Sequence, residues 1–472
     1  MLLKIVHLRA ASLVFVSATL GLAAGAACAA GSTAPSQAGD LISAESYQAS
    51  WVPSRAAHAY KLSYRTPDHH GHLAQGTGLL YLPAGNAPPG GWPVVSWAHG
   101  TQGVADHCAP SVSGPFQPER DGRFLDQFLA RGYAVAAADY QGLGSPGEHA
   151  YLHVGTAARN TIDMIKASRQ YLGPATLAPR WVSVGHSQGG AAALAAGHIG
   201  PGYGGPSLEY RGSFTTGTPT AVELTALVMK PDNLTANPGA LNAYHAYLLD
   251  GLLQLAPHID QVLSEHGRAR VALARQHCLG ALSTLLEGAN TGDMFSAPLY
   301  TVPGIWTLLH DYLGVPRRGF SQPLMLGHGR QDRDVPYVTT LLYAAGLALR
   351  GEPVAFRAYP VDHRGTLDAA AADGLAFVRA PGRRRAGLQR VGRNHRTGSV
   401  AGYVTVAGNR SSPGSSALVP VTDRVPPLTP ECPARDLRPW GCLVALPLAG
   451  AHQAQHTVHH LGGVAGGHDL LA

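Results

Sequence analysis

Three things are scarce in this sequence, and each scarcity narrows what it can be. Long apolar runs come first. Past the N-terminal leader no stretch is long and apolar enough to cross a bilayer, so the mature chain is expected to be soluble. Net charge is scarce too. The formal +6 equals the excess of ten arginines over four acids after Ala380, so residues 1–380 carry no net charge. That removes the electrostatic case for nucleic-acid binding by the body. Cysteine is the third, with five in 472 residues. No metal-ligand spacing accompanies them, and neither metal nor cofactor is expected. No internal repeat occurs.

Both ends differ from the middle. Lys4, His7 and Arg9 precede the apolar run Ala10 to Ala24, and Ala27-Cys28-Ala29 follows as a cleavage site. Residues 1–29 therefore read as a secretory signal peptide cut near Ala29, placing the protein in the periplasm or outside the cell. A lipoprotein signal ending at Cys28 is the alternative, although Gly25-Ala26-Ala27 lacks the usual leucine. Residues 31–50 are small and polar, a loose leader. Residues 381–472 contain no Ile, Phe, Met or Lys and are rich in Gly, Pro, Arg and Ala. Such a segment buries no core. With Cys28 removed, the body keeps Cys108 and Cys278, and the tail has Cys432 and Cys442. In an oxidising compartment the body pair reads as one disulfide, the other possibility being two free buried thiols.

Between the ends, strands alternate with helices. Tyr60–Arg65 and Gln75–Leu82 form an antiparallel pair around the turn Asp68-His69-His70-Gly71. Pro93–Trp97, Tyr133–Ala138, Trp181–Val184 and Gly212–Thr216 read as buried strands. Arg123–Arg131 and Thr156–Tyr171 read as helices. This rhythm predicts an α/β fold with a mostly parallel central sheet and helices on both faces. Residues 45–217 are its first part. Over 218–320 the strands cease, and Tyr244, Tyr247, Leu248, Leu252 and Leu255 share one helical face. That stretch reads as a helical cap over an active site. The core resumes over 321–380 with the strand Pro323–Leu326, the helix Val335–Leu349, the strand Val354–Tyr359 and the helix Thr366–Val378.

The chemistry centres on Gly185-His186-Ser187-Gln188-Gly189, lying between an apolar strand and an alanine-rich helix. G-x-S-x-G in that context is a nucleophile elbow. The turn strains Ser187, and Gly185 and Gly189 spare it side chains that would collide. His186 reads as a packing residue pointing away from the exposed side of Ser187. A serine nucleophile needs a base, and the base an orienting acid. After the resumed strand comes Gly329-x-x-Asp332, and past the next strand His363. Asp332 is the expected acid, with Asp334 its rival and a candidate cap for the following helix. Two amides are expected to hold an oxyanion: that of Gln188 at the helix start, and that of Thr101 in His99-Gly100-Thr101. His99 reads as a loop brace.

These residues carry a resemblance. The run Gly91-Trp92-Pro93-Val94-Val95-Ser96-Trp97-Ala98-His99-Gly100-Thr101 is part of it, as are Cys108-Ala109-Pro110-Ser111 and Asp139-Tyr140-Gln141-Gly142-Leu143-Gly144. The elbow, Gly329-x-x-Asp332-x-x-Val335-Pro336 and His363 complete the set. Over residues 45–380 the chain resembles the α/β-hydrolase superfamily. Within it, the chain is similar to the secretory lipase family, which includes fungal lipase A type enzymes and bacterial exported esterases. The resemblance implies ester hydrolysis by Ser187, Asp332 and His363, and a helical lid between the sixth and seventh core strands. It also implies a disulfide from Cys108 into that lid at Cys278. The tail has no counterpart there.

The reading is an exported serine carboxylesterase or lipase acting through an acyl-enzyme on a lipid or acylated small molecule. Two other readings stand beside it: a serine peptidase of the same fold, for which no acidic clamp on a substrate amine is identifiable, and a non-catalytic secreted binding protein. Because the tail lacks the apolar content to offset backbone ordering of ~1–2 kcal/mol per residue, a chain ending at Ala380 is expected to keep its ester turnover and melting temperature. Loss of either on truncation would show that the tail packs on the body.

Overall fold

The apolar run predicted at Pro93–Trp97 lies in the middle of a nine-stranded sheet in the computed structural model, which describes residues 36–379. The expected signal peptide with its cleavage site, and the arginine-rich tail, lie outside these residues. The strands are β1 (Leu41–Ser46), β2 (His58–Pro67), β3 (Leu73–Leu82), β4 (Trp92–Ala98), β5 (Ala134–Ala138), β6 (Leu177–His186), β7 (Glu209–Thr216), β8 (Leu324–Gly329) and β9 (Val354–Tyr359). Their spatial order is β1-β2-β3-β5-β4-β6-β7-β8-β9. The pairs β1/β2, β2/β3 and β3/β5 are antiparallel, and every pairing from β5 onward is parallel.

The central strands β4 and β5 and the second half of β6 are buried almost throughout because both faces of the sheet are covered. Val94 and Trp181 meet Ile162 and Ile165 of the helix Val154–Leu172 and the alanines of the helix Gln188–Tyr203. Their neighbours Val95, Val182 and Val184 face Phe124 and Phe128 of the helix Pro118–Leu129 on the other side. Leu367 and Val378, from the last two helices, belong to that second layer. The predicted single helix over 366–378 is in fact two, Gly365–Ala369 and Ala371–Arg379.

The predicted loose leader also needs correcting. Residues 41–46 form β1 and pair with β2, and the amide of Leu41 donates to Gln170 Oε1 at 2.6 Å. An edge strand held by backbone bonds needs no buried alternating side chains, and none of its six residues is buried.

Between β7 and β8 the chain leaves the sheet. The helices Gly239–Leu255, Glu265–Ala274, Leu279–Leu285 and Ile305–Leu313 gather around Tyr247, Leu252, Leu282 and Leu309, an apolar cluster separate from those of the sheet. The predicted face of the first of these helices supplies it, since Tyr247, Leu248 and Leu252 are buried. Tyr151, from the loop before the helix Val154–Leu172, joins the same cluster. Among the described residues no helix is long and apolar enough to cross a membrane.

Three histidines, one buried and two partly buried, make this packing sensitive to acid. His153 Nδ1 accepts the amide of Thr156 at 3.1 Å and caps the helix Val154–Leu172, which only the unprotonated nitrogen can do. Burial pushes His149, His153 and His245 each down to about 4. In the unfolded chain a histidine titrates near 6.5, so between these values the unfolded state binds protons that the native state refuses. Stability therefore falls as pH falls through this window, by up to ~1.4 kcal/mol per pH unit for each ring. The buried carboxyls of Asp121, Asp139, Asp163 and Asp250 are pushed up by burial and act in the opposite direction, so the histidine contribution is read by difference. The urea midpoint of a His153→Asn variant is expected to fall less between about pH 7 and pH 5.5 than that of the native protein. An equal change in both would show that the His153 ring is not held neutral.

Candidate active site

β6 ends at His186 and the next helix begins at Gln188, so one residue makes the whole turn. That residue, Ser187, takes φ 56° and ψ −124°. A side chain tolerates this only where its surroundings over-determine it. The surroundings here are backbone. A Cβ on Gly185 would stand 2.0 Å from the Gly189 carbonyl oxygen, and one on Gly189 would stand 1.9 Å from that of Ala98. Both positions exclude any residue but glycine, and the helix can then seat directly against the end of β4. The amide of Ser187 is anchored on the Thr216 carbonyl of β7 at 2.9 Å.

The structure brings Ser187, His363 and Asp332 together. Ser187 Oγ is 2.9 Å from His363 Nε2, and His363 Nδ1 is 2.6 Å from Asp332 Oδ2. Asp332 follows β8 and His363 follows β9, so both arrive at the same sheet edge as the elbow. The second oxygen of Asp332 accepts the amides of Asp334 at 3.0 Å and Val335 at 2.8 Å. Burial by itself would push this carboxyl up. Hydrogen bonding from His328 and His363, the charge of His363 and the Val335 amide outweigh it and hold the group well below the usual carboxylate range.

Asp334 borders the same cleft but has no hydrogen bond to His363. Its Oδ2 accepts the Tyr244 hydroxyl at 3.1 Å, a contact from the helical insertion onto the loop after β8. The expectation that it caps the next helix is corrected, because that helix starts at Tyr337 behind Pro336 and no side chain caps it.

The amides of Thr101 and Gln188 have no acceptor among the described residues. Thr101 borders the cleft at Ser187, and its hydroxyl pairs with Tyr151 OH at 2.7 Å. Gln188 Nε2 lies 3.2 Å from His149 Nε2, while His149 Nδ1 donates to the Gln141 carbonyl at 3.1 Å. His99 braces its loop as expected, with Nδ1 at 2.7 Å from the Gly100 carbonyl. Tyr140 OH donates to the His99 carbonyl at 2.9 Å. Gln102 adds a tie that sequence reasoning missed. Its Nε2 donates to the Gly100 carbonyl at 3.0 Å, and its Oε1 accepts the Phe116 amide at 2.6 Å. Its own carbonyl accepts the amide of Leu279, in the insertion, at 2.7 Å.

His186 packs, as expected, but not away from the site. Its ring lies 4.9 Å from that of His363, with Nδ1 at 2.9 Å from Thr216 Oγ1. Nε2 faces Arg120 Nη1 at 3.5 Å. Burial, followed by the charge of His363, holds this ring well below its ordinary value. Around Ser187 a partly open cleft is lined by Phe116, Gln117, Arg120, Tyr244, Leu279, Asp334 and Arg364. No local pattern marks Arg120 or Tyr244; tertiary packing alone brings them here.

A mostly parallel sheet with helices on both faces, a serine on a strained elbow at the carboxyl end of a central strand and helices inserted before the penultimate strand together define the α/β-hydrolase fold. Within that superfamily, the model of the secretory lipase family matches residues 113–312, bearing out the resemblance read from the motifs. Solved structures agree on the fold. Candida antarctica lipase A is similar with a TM-score of 0.58 and 20% identity, over 72% of this chain and 83% of its own. The rice cell wall degrading esterase LipA from Xanthomonas oryzae gives a TM-score of 0.60 at 19% identity, over 73% of this chain and 98% of its own. A putative hydrolase from Legionella pneumophila gives 0.58 at 19%, over 73% and 99%. Among curated proteins no match is found. The family match supports an ester hydrolase.

Cys108 and Cys278 form a disulfide across 170 residues of sequence, tying the segment after the Thr101 loop to the insertion. Closing so long a loop is worth about 5 kcal/mol on the chain-entropy model. Replacing both with serine is expected to lower the unfolding free energy by several kcal/mol in denaturant titrations. An unchanged midpoint would remove the bond from the stability account.

Proposed function

We propose that the protein is an exported serine carboxylesterase or lipase. The observation that carries this reading is the unbroken contact from Ser187 Oγ through His363 to Asp332, set on the strained elbow. Ser187 attacks the ester carbonyl as its proton passes to His363 Nε2. The Thr101 and Gln188 amides receive the oxyanion that forms. Collapse of this intermediate expels the alcohol, which takes the proton from His363 and leaves an acyl-enzyme. Water, activated by the same imidazole, releases the acid and restores Ser187. Asp332, ionised although buried, holds His363 in the tautomer with Nδ1–H and offsets the charge of the imidazolium.

The cleft at Ser187 is partly open to solvent, and the helical insertion lines it through Tyr244 and Leu279. The insertion is read as a lid over the bound ester. The disulfide and the description of the matched family, secretory lipase, support export. The similar structures are named a lipase and a cell wall degrading esterase, and the substrate of this protein is proposed to be an ester within that range.

Ser187→Ala is expected to lower kcat on a chromogenic ester by on the order of 10⁴-fold or more with the fold intact. A fluorophosphonate should label the native protein once, at Ser187. Asp332→Asn is expected to cripple turnover, whereas Asp334→Asn, which removes a charge but can still accept the Tyr244 hydroxyl, should cost far less. Substantial turnover by a folded Ser187→Ala protein would place the nucleophile elsewhere, and the reverse ranking of the two aspartates would reassign the acid.

A further inference from the structure

His328 is the penultimate residue of β8, wholly buried, with no part in the reaction as described. Its Nε2 is 3.1 Å from the Val335 carbonyl and 3.1 Å from Asp332 Oδ2, the oxygen that also receives His363. Both neighbours are acceptors, so Nε2 carries the proton and shares it between them. Nδ1 is buried without a partner. A second proton there would have no acceptor, and the geometry therefore requires the neutral ring with hydrogen on Nε2. The groups facing it are Asp332, the His363 ring beyond it, the phenol of Tyr337 edge-on at 5.9 Å, and His186 behind His363.

We propose that His328 is a positioning residue for the acid of the site: its single N–H ties Asp332 to the Val335 peptide and fixes the oxygen presented to His363. The Val335 peptide is used twice, since its amide donates to Asp332 Oδ1 while its carbonyl holds His328. Asp332 is thus gripped on both oxygens, and His328 closes the ring of contacts. This inference rests on the esterase reading for its kinetic consequence but not for the placement of the proton.

The physical consequence has a sign. With the His328 donor gone, Oδ2 keeps its charge but loses one of two donors. It then holds the imidazolium form of His363 more tightly and orients the neutral form less well. Turnover should fall, and the acidic limb of the pH–rate profile should move to higher pH. Substrate binding should change little, because His328 does not reach the cleft.

The test uses the full-length protein and three variants. His328→Leu removes the donor at similar bulk, and His328→Gln can return an N–H near the position of Nε2. His328→Leu is expected to lower kcat by about ten- to a hundredfold, the worth of one hydrogen bond to a charged group, with KM within a few-fold and the acidic limb displaced upward. His328→Gln should recover most of both changes. Nitrogen-15 spectra of histidine-labelled native protein should show neutral His328 as the Nε2–H tautomer, a readout that survives if the leucine variant fails to fold. An unchanged kcat and pH profile in folded His328→Leu, or a native ring protonated on Nδ1, would overturn the proposal. Ser187→Ala separates the two readings: if it remains active the esterase assignment fails, while the nitrogen-15 spectra still decide the placement of the His328 proton.

Discussion

Everything at this site depends on how closely one helix approaches one strand. The carbonyl of Ala98, at the end of β4, lies where a Cβ on Gly189 would have to be. The helix Gln188–Tyr203 can start there only because Gly189 has none, and Gly185 lets the chain reach that start in a single residue. The strain is concentrated on Ser187. Over-determination from both sides supports it: the sheet below through the Thr216 carbonyl, and the helix ahead. The exposed hydroxyl and the unengaged amide of Gln188 are two results of the same packing. Neither could be kept while relaxing the other.

The electrostatics follow the same economy. A buried carboxylate is costly unless its oxygens are satisfied. Asp332 meets that requirement with two amides of its own loop and with the His328 and His363 rings. The histidines of the neighbourhood divide by role through their partners. His149 and His186 are kept neutral by burial and spend their nitrogens on structure. His363 alone of these rings bonds to Ser187.

How much of this could be read from the residues depended on the range of the constraint. The elbow was legible because its constraint is local: two glycines, a serine and the strand and helix beside them span a dozen positions. Asp332 and His363 were legible because each sits just past an apolar strand, and strand ends of a parallel sheet converge. The faces of the central strands were legible from their unbroken apolar runs. β1 was not, since an edge strand needs only backbone partners and LISAES shows no alternation. The closeness of His186 to His363 was missed because the direction of a side chain at a strand end depends on what fills the space beyond it. Asp334 was misread as a cap for want of knowing that Tyr244, ninety positions earlier, would claim its carboxylate. His328 could have been suspected, as a histidine one residue before the end of a buried strand has to find a partner.

The attachments of the insertion are unequal. At the Thr101 side it is held by a covalent bond at Cys278 and by the Leu279 amide on the Gln102 carbonyl, one residue apart. At the Asp332 side the Tyr244 hydroxyl rests on Asp334 through one hydrogen bond between side chains. The covalent edge is next to the Thr101 loop, so the wall of the cleft on that side is fixed to the insertion by a bond that thermal motion does not break. Gln102 joins the two, bonded to the Gly100 carbonyl through its side chain and to the insertion through its own carbonyl. Among the described residues the opposite wall has no covalent tie, and its position rests on packing and on side-chain hydrogen bonds.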